Sequence, residues 1–171
     1  MKLEMNRVSA NLTDFPKMVL ASSRNPQQKY ERVDTHFAVH GSEGGDAAEA
    51  TLEFGPEKIA VFPIDHFNEV GSSASETTPV YALRQGGTLA VPTGRVFVRS
   101  AGNKKIEDFA EQFRKAGYEI AQTLSYAPNA GWLRAISSSI ASSLAALDKL
   151  SVIPGVENVE PQMLSKPARK Q

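Results

Sequence analysis

Residues 95–99, Arg-Val-Phe-Val-Arg, carry the strongest local signal in the chain, because polar and apolar side chains alternate strictly through them. Such alternation is typical of a strand that is buried on one face only. Beyond this stretch, apolar side chains recur at the i, i+3, i+4 and i+7 spacing of one helix face: Ile106, Phe109, Ala110 and Phe113. Gly117 then fits a left-handed helix end. The pattern predicts a strand followed by a packed helix.

Downstream of Gly117, the sequence predicts two more strands, a second helix and a last strand. Residues 118–126 and 132–136 have strand composition, and Pro128-Asn129-Ala130-Gly131 predicts the turn between them. Ser137 opens a helix that ends at Pro154-Gly155, with one apolar face formed by Ile140, Leu144, Leu147 and Leu150. Residues 156–160 predict a last strand. The order β-α-β-β-α-β predicts an α+β, ferredoxin-like fold: a four-stranded antiparallel sheet with two helices on one face.

The first half of the chain has a different character. Its apolar segments are short and are separated by glycine and proline: 35–40, 50–54, 58–64 and 79–83. Residues 1–91 hold 8 basic and 12 acidic side chains, whereas residues 92–171 hold 11 and 7. We therefore predict a small β-rich unit of unknown role at 1–91, a ferredoxin-like domain at 92–162 and an extended tail at 163–171.

Composition excludes several classes of function. The 19 basic and 19 acidic residues leave no net charge, which argues against a nucleic-acid partner. Cysteine is absent, so disulfides and thiolate chemistry are excluded. No apolar run approaches the roughly 18 residues of a membrane span. Residues 1–10 lack the apolar stretch of a secretory signal, so we expect a cytoplasmic protein with no membrane partner.

Candidate catalytic residues are few. His36 and His40 fall on one predicted strand, which separates them by about 13 Å and disfavours a shared metal. Asp65 and His66 pair an acid with a base, but no nucleophile motif accompanies them. We expect no enzyme activity, no metal and no cofactor, and we assign Trp132 and the aromatic residues of 106–113 to the core.

Residues of the second half resemble the propeptide (inhibitor) domain of subtilisin-like serine proteases. The resemblance covers about residues 95–168. It is carried by the first strand, by Ala-Gly-Tyr-Glu-Ile at 116–120 and by Tyr-Ala-Pro-Asn-Ala-Gly-Trp-Leu at 126–133. Its most specific part is Ile-Pro-Gly-Val-Glu-Asn-Val-Glu-Pro at 153–161. The resemblance implies a protein that binds and inhibits such a protease, with assistance to the folding of the protease as a further role.

The resemblance also implies which residues touch the protease. The sheet packs on two surface helices, and an acid after the last strand caps their N-termini; Glu160 stands at that position, and Gln162 stands where a second acid is usual. The four subsites before the catalytic serine would take Ser165, Lys166, Pro167 and Ala168. Leu164 is the alternative residue for the deep apolar subsite if the register slips by one.

None of the catalytic motifs of subtilisin-like proteases occurs in the sequence. We therefore expect a freestanding inhibitor or a partner subunit of a separately encoded protease. Two alternatives remain: a ferredoxin-like regulatory module that binds a small ligand or dimerises through its sheet edge, and an enzyme that uses Asp65 and His66.

Overall fold

The computed structural model describes residues 12–41, 50–70, 76–84 and 87–166. These residues contain nine strands: β1 Met18–Leu20, β2 Lys29–His40, β3 Leu52–Phe54, β4 Ile59–Pro63, β5 Glu76–Ala82, β6 Ala90–Ser100, β7 Tyr118–Leu124, β8 Ala127–Ala135 and β9 Val156–Ser165. The α-helices are short: α1 Phe67–Val70, α2 Ala110–Lys115, α3 Ile140–Ala145 and α4 Leu147–Ser151. Single 3-10 turns precede two of them, at Ile64–His66 and Ile106–Phe109.

The predicted ferredoxin-like fold class is wrong. The described strands form a nine-stranded, mostly antiparallel sheet of order β3-β4-β2-β5-β6-β8-β7, with β1 on β2 and β9 on β6. Strand accounts for 48% and helix for only 21% of the described residues, so the sheet dominates the fold. The physical reason lies at Pro92 to Gly94. The boundary between the two compact units falls between Val91 and Pro92, but β6 continues through it without interruption and begins early enough to pair with β5 at Tyr81 and Ala90.

By their contacts, the described residues divide into two compact units. Unit 1 contains the described residues of 1–17, 31–91 and 164–171, and unit 2 contains 18–30 and 92–163. Both units are therefore discontinuous in sequence. The N-terminal segment 18–30 belongs with the second half, and the end of β9 belongs with the first.

Unit 1 is built on β3, β4, β2 and β5, and its strands bury side chains on both faces. In β2 the neighbours Phe37 and Ala38 enter two different apolar clusters, as strand alternation requires. The Phe37 cluster comprises Phe37, Val39, Ala60 and Phe62. The Phe54 cluster comprises Ala38, Phe54, Ile59, Val61, Val80 and Val91, with Val33, Leu52, Leu89 and Leu164 packed around it.

Unit 2 buries one face of β6, β8 and β9 under α2, α3 and α4. Its core comprises Val96, Val98, Ile106, Phe109, Phe113, Tyr118, Leu133, Leu150 and Val159. Nearly all of these residues lie where the apolar periodicity places a buried side chain, as the helix faces and the alternation of 95–99 predict. Gly117 has a φ of 97°, which is the left-handed helix end expected there.

Two local predictions in unit 2 are wrong. Pro128 to Gly131 do not form the turn; they lie inside β8, and the chain reverses earlier, at Ser125 and Tyr126. The reason is that these residues pair with both neighbouring strands. Gly131, for example, is opposite Thr123 of β7 and Val98 of β6. The helix after Ser137 is capped by Ser139, whose side chain accepts a hydrogen bond from the Ser142 N–H, and it is interrupted at Ala146.

No helix among the described residues is both long enough and apolar enough to cross a membrane.

Candidate functional site

The face of the unit 2 sheet that points away from its core carries an ordered group of aromatic and basic side chains. Val96, Val98 and Leu133 are fully buried in the core. Alternation therefore turns the residues between and beside them to the opposite face. We call this the open sheet face; its residues on β6 and β8 are Arg95, Phe97, Arg99, Trp132 and Arg134.

Phe97 and Trp132 form the centre of the open sheet face. They are directly opposite each other in the β6–β8 pairing. Their rings meet edge to face, with centroids 5.3 Å apart and planes 66° apart. Both side chains are half-buried. This geometry is the favourable one for two aromatic rings, so the pair forms a rigid apolar centre on a sheet face.

Arginine side chains cover both ends of this aromatic pair. The Arg95 guanidinium carbon lies 5.1 Å from the Trp132 ring centroid, and that of Arg99 lies 5.9 Å from the Phe97 centroid. Both distances are within cation–π range. A hydrogen bond of 2.9 Å from the Arg95 Nη2 to the Gln122 side-chain oxygen holds Arg95 in place. Arg95 is thus prearranged on the face.

An exposed ion pair borders the face on the β7 side. The Arg134 Nε donates to the Glu119 carboxylate at 2.7 Å, and the two side chains are 60% and 45% exposed. Ion pairs at this exposure contribute little to folding. Both groups remain accessible to a partner.

β9 forms the other border, and it carries the two predicted helix-capping residues. Val159 is buried in the core, so alternation places Glu160 and Gln162 on the side of the open sheet face. Gln162 has a partner within the unit, because its side-chain oxygen accepts a 2.6 Å hydrogen bond from the Thr93 hydroxyl. The pKa of Tyr30 is raised, first by burial and second by the negative charge of Glu160.

The outer edge of β9 is occupied by the segment between β1 and β2. The Ser23 N–H donates to the Val159 carbonyl at 3.0 Å, and the Val159 N–H donates to the Ser23 hydroxyl oxygen at 2.9 Å. The Ser22 hydroxyl donates to the Asn158 side-chain oxygen at 2.6 Å. This segment is a loop, and these hydrogen bonds hold it against β9.

The predicted subsite residues are placed as follows. Leu164 lies near the end of β9 and packs against the Phe54 cluster of unit 1. Ser165, the last residue of β9, is exposed. The Lys166 Nζ lies 5.4 Å from the Phe54 ring centroid. Pro167 and Ala168 lie outside the described residues.

Trp132 is the residue that sequence reasoning misplaced. The prediction that it belongs to the core is wrong, because the side chain lies on the open sheet face. The available signal was the alternation of β8, in which a buried Leu133 turns both of its neighbours outward. The same alternation in β6 turns Phe97, Arg95 and Arg99 outward, because Val96 and Val98 between them are buried.

The histidines do not assemble into a metal site. Groups of His, Asp and Glu that could hold a metal ion are absent from the described ranges. Burial lowers the pKa of His40 to about 4, and its Nε2 lies 2.9 Å from the Thr78 hydroxyl oxygen. His66 lies with Asp65 in the 3-10 turn Ile64–His66. His40 is thus a neutral, packed side chain at physiological pH.

Comparison with known proteins gives no relative: no family model, no curated protein and no solved structure matches the chain.

Proposed function

We propose that the chain binds and inhibits a subtilisin-like serine protease, with the open sheet face on the surface of the protease and the C-terminal segment directed to its active-site cleft. The observation that carries the proposal is the Phe97–Trp132 pair, held under two arginines on a sheet face that contributes nothing to the unit 2 core. The sequence resemblance supplies the class of partner.

The chemistry of the face suits a protein partner. Aromatic residues and arginine are enriched at interface centres, whereas lysine and acids are depleted there. Here the aromatic pair is central, and the exposed Arg134–Glu119 ion pair is peripheral. A rigid centre also reduces the entropy lost on binding.

Glu160 adds a contact of a specific kind. A carboxylate beside the aromatic centre can accept hydrogen bonds from the unpaired N–H groups at a helix N-terminus. Surface helices of the protease would present such groups. Gln162 is hydrogen-bonded to Thr93, so the proposal gives the capping role to Glu160 alone.

The test is an inhibition assay with the full-length chain against a panel of subtilisin-like proteases. Phe97→Ser and Trp132→Ser should each weaken inhibition at least about tenfold, the scale of an interface hot spot. Tyr126→Ser is the matched control, because Tyr126 is an aromatic residue 84% exposed in the β7–β8 turn. Equal inhibition by all four proteins, or none by the unmodified chain, would reject the proposal.

Single-stranded nucleic acid is a second candidate partner for the same face. Aromatic rings on a sheet, with arginines beside them, can stack bases. Glu119 and Glu160 border the face, and the chain has no net charge, so the charge distribution favours the protease. Salt-dependent binding of a single-stranded RNA that Trp132→Ser abolishes, without protease inhibition, would select this candidate instead.

A further inference from the structure

Unit 2 contains a cavity beside the open sheet face. Its volume is about 390 Å³, and it is lined by residues of β6, β7, β8 and the connection from β8 to α3. This volume is in the range of small-molecule binding sites. Among the described residues that line the cavity there is no acid, but there are two arginines, Arg95 and Arg134.

The two arginines are directly opposite each other in the β6–β8 pairing. Like charges at such positions repel each other. Arg134 is paired with the Glu119 carboxylate at 2.7 Å. The partners of the Arg95 guanidinium in the described part of unit 2, the Gln122 side-chain oxygen and the Trp132 ring, carry no charge. The cavity wall therefore keeps an excess positive charge, which a bound anion would neutralise.

Both guanidinium groups keep N–H groups for a ligand. The Arg134 Nε donates to Glu119, which leaves its two Nη groups. One Nη2 hydrogen bond to Gln122 leaves the Nε and Nη1 of Arg95. Guanidinium groups present their N–H groups in a planar fork that matches the oxygens of carboxylates and phosphates.

Serine hydroxyls add donors at the same cavity. Ser138 and Ser139 line it. The Ser139 hydroxyl oxygen accepts a 3.1 Å hydrogen bond from the Ser142 N–H, so its own proton remains for another acceptor. The Thr93 hydroxyl, by contrast, is committed to the Gln162 side-chain oxygen at 2.6 Å. The cavity thus offers more donors than two oxygen atoms of a ligand would use.

Apolar residues line the remainder of the cavity. Ala121 of β7, Ala135 of β8 and Ile140 of α3 contribute to its wall. Ala135 and Ile140 are buried, at 5% and 6% exposure. A ligand with an apolar body beside its anionic group would therefore contact both parts of the wall.

We infer that this cavity binds the phosphate monoester of a small organic molecule, with the phosphate between Arg95 and Arg134 and the organic body against Ala121, Ala135 and Ile140. A phosphate monoester carries a charge of about −1.5 to −2 at neutral pH and three acceptor oxygens. It therefore matches two guanidinium groups and the neighbouring serine hydroxyls better than a carboxylate, which has one charge and two oxygens.

This inference goes beyond the proposed function and does not rest on it. The two are linked only through Arg95, whose guanidinium lies over the Trp132 ring. Trp132 is the only tryptophan of the chain. A ligand that engages the Arg95 guanidinium changes the surroundings of the indole, so the fluorescence of Trp132 reports binding without any protease.

The first experiment titrates the full-length chain with n-butyl phosphate by isothermal calorimetry at constant ionic strength. We expect saturable binding at one site and a change in tryptophan fluorescence over the same concentrations. Pentanoate, a carboxylate with a similar apolar chain, should bind at least about tenfold more weakly, because it loses charge-assisted hydrogen bonds. Inorganic phosphate, which lacks the apolar body, should also bind more weakly than n-butyl phosphate.

The second experiment repeats the calorimetric titration with variants. Arg95→Gln and Arg134→Gln should each weaken binding of n-butyl phosphate at least about tenfold. Arg114→Gln is the matched control, because Arg114 is an exposed arginine of α2 that does not line the cavity. Ala121→Asp places a carboxylate in the wall at an exposed position and should abolish binding. It leaves both arginines in place, so it tests the site even if an arginine variant fails to fold.

Each other outcome overturns a stated part of the inference. Absence of saturable binding, or equal binding by Ala121→Asp and the unmodified chain, rejects the site. Equal weakening by Arg114→Gln shows an unspecific charge effect and also rejects it. Pentanoate that binds as tightly as n-butyl phosphate rejects the preference for phosphate, and inorganic phosphate that does so rejects the apolar contact. Because no protease is present, none of these results depends on the proposed function.

Discussion

The Tyr118 hydroxyl donates a hydrogen bond to the backbone carbonyl of Ser143, which joins the first residue of β7 to α3 inside unit 2. The Ser143 hydroxyl in turn donates to the Gly94 carbonyl of β6 at 2.7 Å. One helical residue thus connects two strands through buried polar groups. Burial raises the pKa of Tyr118, and the negative charge of Asp148 raises it further, so the phenol stays protonated and remains a donor.

Tyr118→Phe should destabilise the protein by about 1–2 kcal/mol, because it leaves the buried Ser143 carbonyl without this donor. Urea unfolding followed by circular dichroism measures the change. Tyr126→Phe removes a hydroxyl from an exposed ring and should stay within about 0.5 kcal/mol of the parent. Equal effects of the two substitutions would contradict a structural role for the Tyr118 bond.

The free energy of unfolding should fall as the pH decreases from about 6.5 towards 4. Burial lowers the pKa of His40 from 6.5 to about 4, so the unfolded chain binds more protons than the folded chain across this window. The loss attributable to His40 is roughly 3 kcal/mol at its largest. Above pH 6.5 this contribution is complete and constant.

His40→Gln should flatten that pH dependence, and urea titrations of both proteins between pH 4 and 7.5 measure the difference. Glu76, which is paired with His40 across β2 and β5, has a pKa raised by burial and acts in the opposite direction. Because Glu76 is retained in both proteins, the difference between them reports His40 together with any change in its coupling to Glu76. Parallel pH profiles would show that His40 is not buried in its neutral form.

Glu160→Ala should weaken protease inhibition at least about tenfold while leaving the fold intact, because it removes a charged acceptor worth roughly 1.5–3 kcal/mol. Glu157→Ala is the control, since Glu157 is an exposed acid on the same strand. The variant should also lower the pKa of Tyr30, which the charge of Glu160 raises. Ultraviolet titration of the tyrosines detects that change without any protease.

Gly155→Ala should destabilise the protein by about 1–3 kcal/mol. Gly155 has a φ of 92°, and a methyl group there would lie 3.0 Å from the Phe109 Cζ. Gly102→Ala is the matched control, because a methyl group at Gly102 meets nothing within 4 Å. Thermal unfolding of both variants measures the contrast, and similar melting temperatures would contradict the strained turn before β9.

The sequence correctly predicted the features that depend on local periodicity, namely which side chains of a strand or helix are buried. The alternation of 95–99 and the helix spacing at Ile106 and Phe113 identified buried side chains correctly, because both patterns depend on neighbouring residues alone. The contact between Leu164 and the Phe54 cluster joins residues more than a hundred positions apart. Periodicity carries no information about such a contact, and so the fold class was wrong and the end of β9 was expected to be free.

At the open sheet face, the family resemblance implied Glu160 and Gln162 as contact residues, and both stay predictions; Trp132 was not among the predicted site residues. Hydrophobic character alone assigned the indole to the core. Its position in β8, between a glycine and a buried leucine, was the stronger evidence. The arrangement of Arg95 over Trp132 depends on cross-strand register, which only the structure defines.

The hydrogen bonds of Ser22 and Ser23 to β9 have a consequence for fragments of this protein. Unit 2 cannot be excised by a single cut, because a fragment that begins at Pro92 lacks both serines and leaves the Val159 N–H and carbonyl without their partners. An unpaired strand edge of this kind can pair with a strand of another molecule. We therefore expect recombinant pieces of the second half that lack residues 18–30 to self-associate more readily than pieces that retain them.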